Sequence, residues 1–221
     1  MVASFMLSVV SGTNIEQWSP PEALAQCSNN SRGSALYNGM VAPLLQTSVK
    51  GWIWYQGEAN VGEAIYGCRF KALINAWRQR WNVNSVSNQI ATTRSPLSSA
   101  NPFVFVQLAP YHADNGNTEC LIEGGASRGK LATQRLLQTQ ALTLPAVGMA
   151  SAVDLGDSAS PYWPGSVHPR SKQPVGRRLA LEAMRLGYEQ SRYFNWALAR
   201  GLTTKTPAAA NTALVSRGPQ F

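Results

Sequence analysis

Charged residues are scarce in this sequence. Asp, Glu, Lys and Arg make up 14% of the 221 residues, against about a quarter in an ordinary globular domain. The nineteen Lys and Arg outnumber the eleven Asp and Glu, for a formal net charge of +8. They never form a run of five, and no zinc-finger or RNA-recognition signature accompanies them, so a nucleic-acid partner is not expected. No stretch reaches the ~18 apolar residues that a membrane-spanning helix needs. The apolar opening lacks the basic lead and small-residue cleavage site of a signal peptide. The three cysteines, Cys27, Cys68 and Cys120, have no metal-ligand spacing. An odd number excludes a complete disulfide framework but not one bridge beside a free thiol. Histidine occurs only twice, at His112 and His168, so imidazole chemistry has few possible sites.

What is present suits one sizeable α/β domain over residues 1–190, followed by a linker or the start of a further region over 191–221. A hydrophobic fraction of 44% is enough to bury a core. Residues 3–10 form a near-continuous apolar run before Ser11-Gly12, the pattern of a strand buried on both faces. Residues 16–32 are rich in Pro, Ser and Asn and read as loop; residues 36–45 read as a short helix. A second buried strand over 50–55 ends in the polar turn Gln56-Gly57-Glu58-Ala59-Asn60. Phe70, Leu73, Ile74, Trp77 and Trp81 recur at helical spacing and predict a helix over 66–81. Its tryptophans are expected to pack on a sheet. Further strands are expected at 103–109 and 146–153, with helices at 131–142 and 173–188. Strand–helix alternation predicts a mostly parallel sheet covered on both faces.

Such sheets gather reactive groups where strands end. Three turns here follow predicted strands: Ser11-Gly12-Thr13, Gln56 to Asn60, and the segment from Asp154 to His168. His168 precedes a helix, and its imidazole is a candidate to take a proton from a nucleophile and return it to a leaving alcohol. Asp154 and Asp157 are candidates to orient it, and each could equally brace the loop. The Asn60 amide and the Gly12 backbone N–H are candidate donors to a developing oxyanion. Gln56 and Glu58, in the same turn as Asn60, are candidate oxyanion or substrate contacts. His112 has weaker context and is read as structural.

These segments resemble the sialate O-acetylesterase family of SGNH hydrolases. The resemblance rests on Gly12-Thr13-Asn14-Ile15-Glu16-Gln17-Trp18, on Trp54-Tyr55-Gln56-Gly57-Glu58, on Asp154-Leu155-Gly156-Asp157 and on Val167-His168-Pro169-Arg170, in the family's order. It implies a three-layer α/β/α fold and hydrolysis of acetyl esters on sugar hydroxyls, without metal or organic cofactor. Serine would be the nucleophile, His168 base and then acid, with Asn60 and Gly12 at the oxyanion. The implied partner is an O-acetylated sugar, from sialic acid or a plant or microbial polysaccharide.

The chain departs from the family in two places and from many other SGNH enzymes in a third. Ser11 replaces one glycine of the usual pair before Thr13, and Gly165, as in close relatives of the family, stands where many SGNH enzymes have the aspartate that orients histidine. No Gly-Gln-Ser-Asn-Met, the nucleophile motif of relatives, occurs in the sequence. The expectation is therefore an incomplete domain, without the first strand and nucleophile segment, and itself inactive. Gly156-Asp157-Ser158 imitates another superfamily motif, but Ser158 lies only ten positions before His168 and is not expected to act. Cys27 and Cys68 match cysteine positions of secreted or lysosomal relatives, which implies a disulfide between them, a free Cys120 and a secretory parent. The sequon Asn29-Asn30-Ser31 accords with that.

Overall fold

The computed structural model describes residues 5–27, 33–86, 101–110, 128–162 and 167–188. Three strands, β1 (Trp52–Trp54), β2 (Phe103–Gln107) and β3 (Val147–Ser151), form a parallel sheet in the order β1-β2-β3. Register is set by Trp52 opposite Phe103 and Phe103 opposite Val147. The helices are α1 (Ile15–Trp18), α2 (Pro21–Ala25), α3 (Tyr66–Val86), α4 (Arg128–Thr139) and α5 (Gln173–Gly187). A π-helical turn at Tyr37–Val41 runs directly into a 3-10 turn at Ala42–Gln46.

The alternation of strand side chains builds three layers. Trp52, Trp54, Phe103, Phe105, Val147 and Met149 project to one face and meet Phe70, Trp77 and Trp81 of α3. Rings there cross edge to face: Trp54 with Trp77 at 5.7 Å, Phe70 with Phe105 at 5.2 Å, the arrangement favoured by the ring quadrupole. Val104, Val106, Ala150 and Ala152 project to the other face, against Val175 and Leu179 of α5. Each buried indole N–H that reaches a carbonyl ties a distant segment to α3: Trp77 donates to the Trp18 carbonyl at 3.1 Å and Trp81 to that of Thr47 at 3.0 Å. Arg78 clamps the opposite end of the sheet, donating to the carbonyls of Asn101 at 2.9 Å and Ala146 at 3.1 Å. Gly51 cannot carry a side chain, because a Cβ there would lie 2.4 Å from the Pro102 carbonyl oxygen.

Two sequence expectations need correction. Of the strand expected at 3–10, the described residues 5–10 belong to no strand, with Phe5 77% and Leu7 84% exposed. A strand persists only where a neighbour completes its ladder, and among the described residues no strand pairs with this segment. Residues 16–32, expected as loop, contain α1 and α2 instead. Pro21 starts α2 at its first turn, where a missing N–H costs nothing, and buried Ile15, Trp18 and Leu24 fix both helices. Helix α3 also runs five residues past the expected end, to Val86. Cys27 and Cys68 are joined in a disulfide that pins the end of α2 to α3, with Cα atoms 5.9 Å apart. His112, Cys120, the Asn29 sequon, Gly165 and the region 191–221 lie outside the described residues. Among those described, no helix is long and apolar enough to cross a membrane.

Candidate active site

Because the three strands are parallel, their carboxyl ends share one edge of the sheet. β1 leaves it through Tyr55 into the turn that carries Gln56, Glu58 and Asn60. Gly57 makes the turn possible: its φ of +146° is rarely open to other residues, and a Cβ would sit 3.3 Å from the Gln138 amide nitrogen. The turn closes with the Asn60 N–H donating to the Gly57 carbonyl at 3.1 Å.

Asn60 is fully buried and its amide orientation is fixed from both ends. Its Oδ1 accepts from Gln56 Nε2 at 2.7 Å and from the Ile15 N–H at 2.9 Å, while its Nδ2 donates to Glu16 Oε2 at 2.9 Å. One amide N–H remains beyond these bonds. The other Glu16 oxygen meets Arg69, which also pairs with Glu63 at 2.8 Å. Gln56 reaches further, donating to the Thr13 carbonyl at 3.1 Å. The Tyr66 hydroxyl lies 3.2 Å from Gln56 Oε1, and burial raises the Tyr66 phenol above its ordinary value. From α4, Gln138 donates to the Gln56 carbonyl at 3.3 Å and accepts from the Leu108 N–H at 3.1 Å. Gly12 stands at φ +70° on an exposed turn. Thr13 joins that turn to the cluster, accepting from Trp18 Nε1 at 2.9 Å.

β3 leaves the same edge into the segment that carries Asp154, Asp157 and His168. Both aspartates bind arginine. Asp154 takes Arg178 Nη1 at 2.5 Å and Nη2 at 2.7 Å. Asp157 accepts from Arg170 three times, from the backbone N–H at 3.1 Å, Nε at 2.7 Å and Nη2 at 3.0 Å. Those bonds hold the Asp157 carboxyl down to about 2 and lower that of Asp154 as well. His168 is half-buried between buried Val167 and Pro169. Its carbonyl accepts from Ser160 Oγ at 2.7 Å, which folds the loop back on itself. Ser158 lies exposed in that loop.

Lys172, four residues after His168, joins the two sides. Its ammonium sits 5.5 Å from the centre of the Tyr55 ring, a cation–π distance. Glu58 and Lys172 also act on one another. Burial raises the Glu58 carboxyl and lowers the Lys172 ammonium, and the opposite charge of each partner pulls back against both shifts. Among the described residues, the buried Tyr55 hydroxyl has no hydrogen-bond partner. Sequence reasoning did not single out Glu16, Arg69, Gln138 or Lys172 as site residues. Gln134 and Gln138 offered one signal, two amides at helical i, i+4 spacing on the face of α4 that is fully buried. Among the described residues, no group of three His, Cys, Asp or Glu could hold a metal ion.

Comparison with known proteins fits this architecture. The profile of the carbohydrate esterase, sialic acid-specific acetylesterase family matches residues 3–183. Human sialate O-acetylesterase is 34% identical over 196 residues, covering 80% of this chain and 34% of the human protein. The mouse sialate O-acetylesterase is 37% identical over 163 residues, covering 71% of this chain and 27% of that protein. A crystal structure of a carbohydrate acetylesterase from Xanthomonas citri superposes with a TM-score of 0.59 at 32% identity, over 81% of this chain and 35% of that one. The chain thus spans about a third of the length of the relatives it matches. With a parallel sheet between helices and the matched segments at its carboxyl edge, the chain belongs to the carbohydrate esterase, sialic acid-specific acetylesterase family.

Proposed function

We propose that this chain is the histidine-bearing part of a carbohydrate O-acetylesterase that acts on acetylated sugar hydroxyls, as its relatives' names state for theirs. The observation that carries this reading is the Lys172 ammonium placed 5.5 Å from the centre of the Tyr55 ring. It ties the segment after His168 to the turn that carries Asn60. In the reaction, a serine oxygen attacks the acetyl carbonyl and gives its proton to the His168 imidazole. The tetrahedral oxyanion is held by the remaining Asn60 N–H and by the Gly12 backbone N–H, while Gln56 fixes the Asn60 amide and Glu58 is a candidate contact to substrate hydroxyls. His168 then protonates the departing sugar oxygen as the C–O bond breaks. Water, deprotonated by His168, releases acetate and restores the serine. No step calls for a cofactor.

With both aspartates bound to arginines, they act as braces for the His168 loop in this reading. The disulfide accords with a secreted or lysosomal protein. The sequence holds no Gly-Gln-Ser-Asn-Met. Little or no acetyl-ester turnover is therefore expected from these 221 residues alone, and turnover is expected when that motif is supplied in frame upstream. His168→Ala should then abolish the acquired activity; an unchanged rate would refute the assignment. Turnover by the chain alone that Ser158→Ala removes would instead make Ser158 the nucleophile. A second reading, an inactive protein that keeps a sugar pocket, is favoured by the enclosure of Asn60, whose fully buried amide is held by Glu16. Absence of turnover in the supplemented protein would decide for it.

A further inference from the structure

An open cavity of about 390 Å³ lies between the turn after β3 and the segment that leads from His168 into α5. Leu155, Pro169 and Pro174 supply apolar walls, and Asp154, Asp157 and Arg170 supply polar ones. The volume falls in the range of small-ligand sites. The polar groups are already fixed. The Asp157 carboxylate and the Arg170 guanidinium lie fork to fork at 2.7 and 3.0 Å, which leaves little side-chain freedom to lose on binding. Arg170 remains 55% exposed on its side chain, so N–H donors not used on Asp157 face solvent beside carboxylate lone pairs. Donors and acceptors set side by side on a rigid edge, between apolar walls, suit adjacent hydroxyls on a carbon skeleton. Asp154 with Arg178 repeats the pair on the cavity's rim, and the two pairs leave the wall without net charge.

We propose that this cavity is the sugar subsite, in which the Asp157–Arg170 pair reads a vicinal diol of the sugar that carries the ester. The proposal rests on the esterase reading for its placement beside His168, and it gives the two aspartates a role in contact with substrate. The diol could belong to a pyranose ring or to the glycerol side chain of a sialic acid, and two probes separate these sources. The 221-residue chain is titrated calorimetrically with methyl β-D-xylopyranoside and with N-acetylneuraminic acid, and thermal melts check the fold of each variant. Saturable binding of xyloside is expected, with at least fivefold weakening by Arg170→Met and by Asp157→Asn. Arg80→Met, which breaks the remote exposed pair with Glu22, should leave binding unchanged. Equal loss for both sugars identifies the diol as the shared ligand, and loss for xyloside alone confines it to the ring. Loss for N-acetylneuraminic acid alone assigns the diol to the glycerol side chain, whereas binding that Arg170→Met weakens and Asp157→Asn does not would assign the site to a carboxylate and overturn the proposal, as would binding indifferent to both variants. If Arg170→Met does not fold, Asp157→Asn decides by itself. Acetyl-ester turnover by the serine-supplemented protein is read separately: turnover with no sugar binding sinks the subsite alone, and sugar binding without turnover sinks the hydrolase reading alone.

Discussion

Around Asn60 the polar side chains are enclosed, with Asn60, Glu16 and Gln138 at 0%, 7% and 0% exposure, whereas the loop around His168 is fastened by ion pairs whose arginines are 36% to 55% exposed. One side of the site is a buried hydrogen-bond network that links α1, α3 and α4 to the β1 turn. The other is a surface segment whose charges are shared with water. Low dielectric makes each missing partner costly in the first region, and solvent screening makes each pair weak in the second. The difference suits the roles proposed for them. An oxyanion donor gains from rigidity, while a segment that contacts substrate has to remain reachable.

The largest expected effect comes from opening the buried side. Glu16→Ala leaves Arg69 without its enclosed partner and Asn60 Nδ2 without an acceptor. A loss of about 3–5 kcal/mol is expected by urea unfolding, and Glu16→Gln, which keeps an acceptor for Asn60, should lose less. Equal losses for the two would show that Glu16 does not hold the amide. Next comes the bridge between α2 and α3. Removing the disulfide that joins positions 41 residues apart should cost about 4 kcal/mol in the loop-entropy account, read as a lower melting point of the Cys27→Ser, Cys68→Ser protein. Gln138→Leu should cost about 1–3 kcal/mol, because the Leu108 N–H is left buried without an acceptor. A neutral result would mean that water replaces the amide.

The smallest effect belongs to the open side. Arg170 depresses the Asp157 carboxyl from 3.8 to about 2 in the folded protein. The unfolded chain therefore binds the proton first, so the pair's contribution is present above pH 3.8 and fades as pH falls toward about 2. Wild type and Asp157→Asn should differ slightly at neutral pH and converge in unfolding experiments near pH 2. Added salt should shrink the difference at neutral pH. A difference that grew with acidity would contradict the pairing with Arg170.

Much of the scaffold was legible because it is written in local periodicity. The apolar spacing from Phe70 to Trp81 marks the face of α3 that meets the sheet, and continuous apolar runs mark β2 and β3, which are buried on both faces. That the Gln56–Asn60 turn and the segment from Asp154 follow strands was legible for the same reason, whereas among the described residues the Gly12 turn follows no strand. Residues 5–10 were misread because their composition suits a strand, while pairing depends on a neighbour that composition does not reveal. Asp154 and Asp157 were open to several roles, since nothing in their spacing announces Arg178 and Arg170, lying 24 and 13 residues on.

The sequence by itself determined the α/β alternation, the core faces of the helices and strands, and the turns that carry Asn60 and His168. These follow from side chains sorted along the chain at periods of two and 3.6 residues. Tertiary structure alone decided which groups those turns meet: Glu16 on Asn60 from 44 residues away, Gln138 on Gln56 from 82, and Lys172 over Tyr55. Such contacts come from the packing of whole elements, and a hydrogen bond is set by distance and angle in space, which order along the chain does not encode.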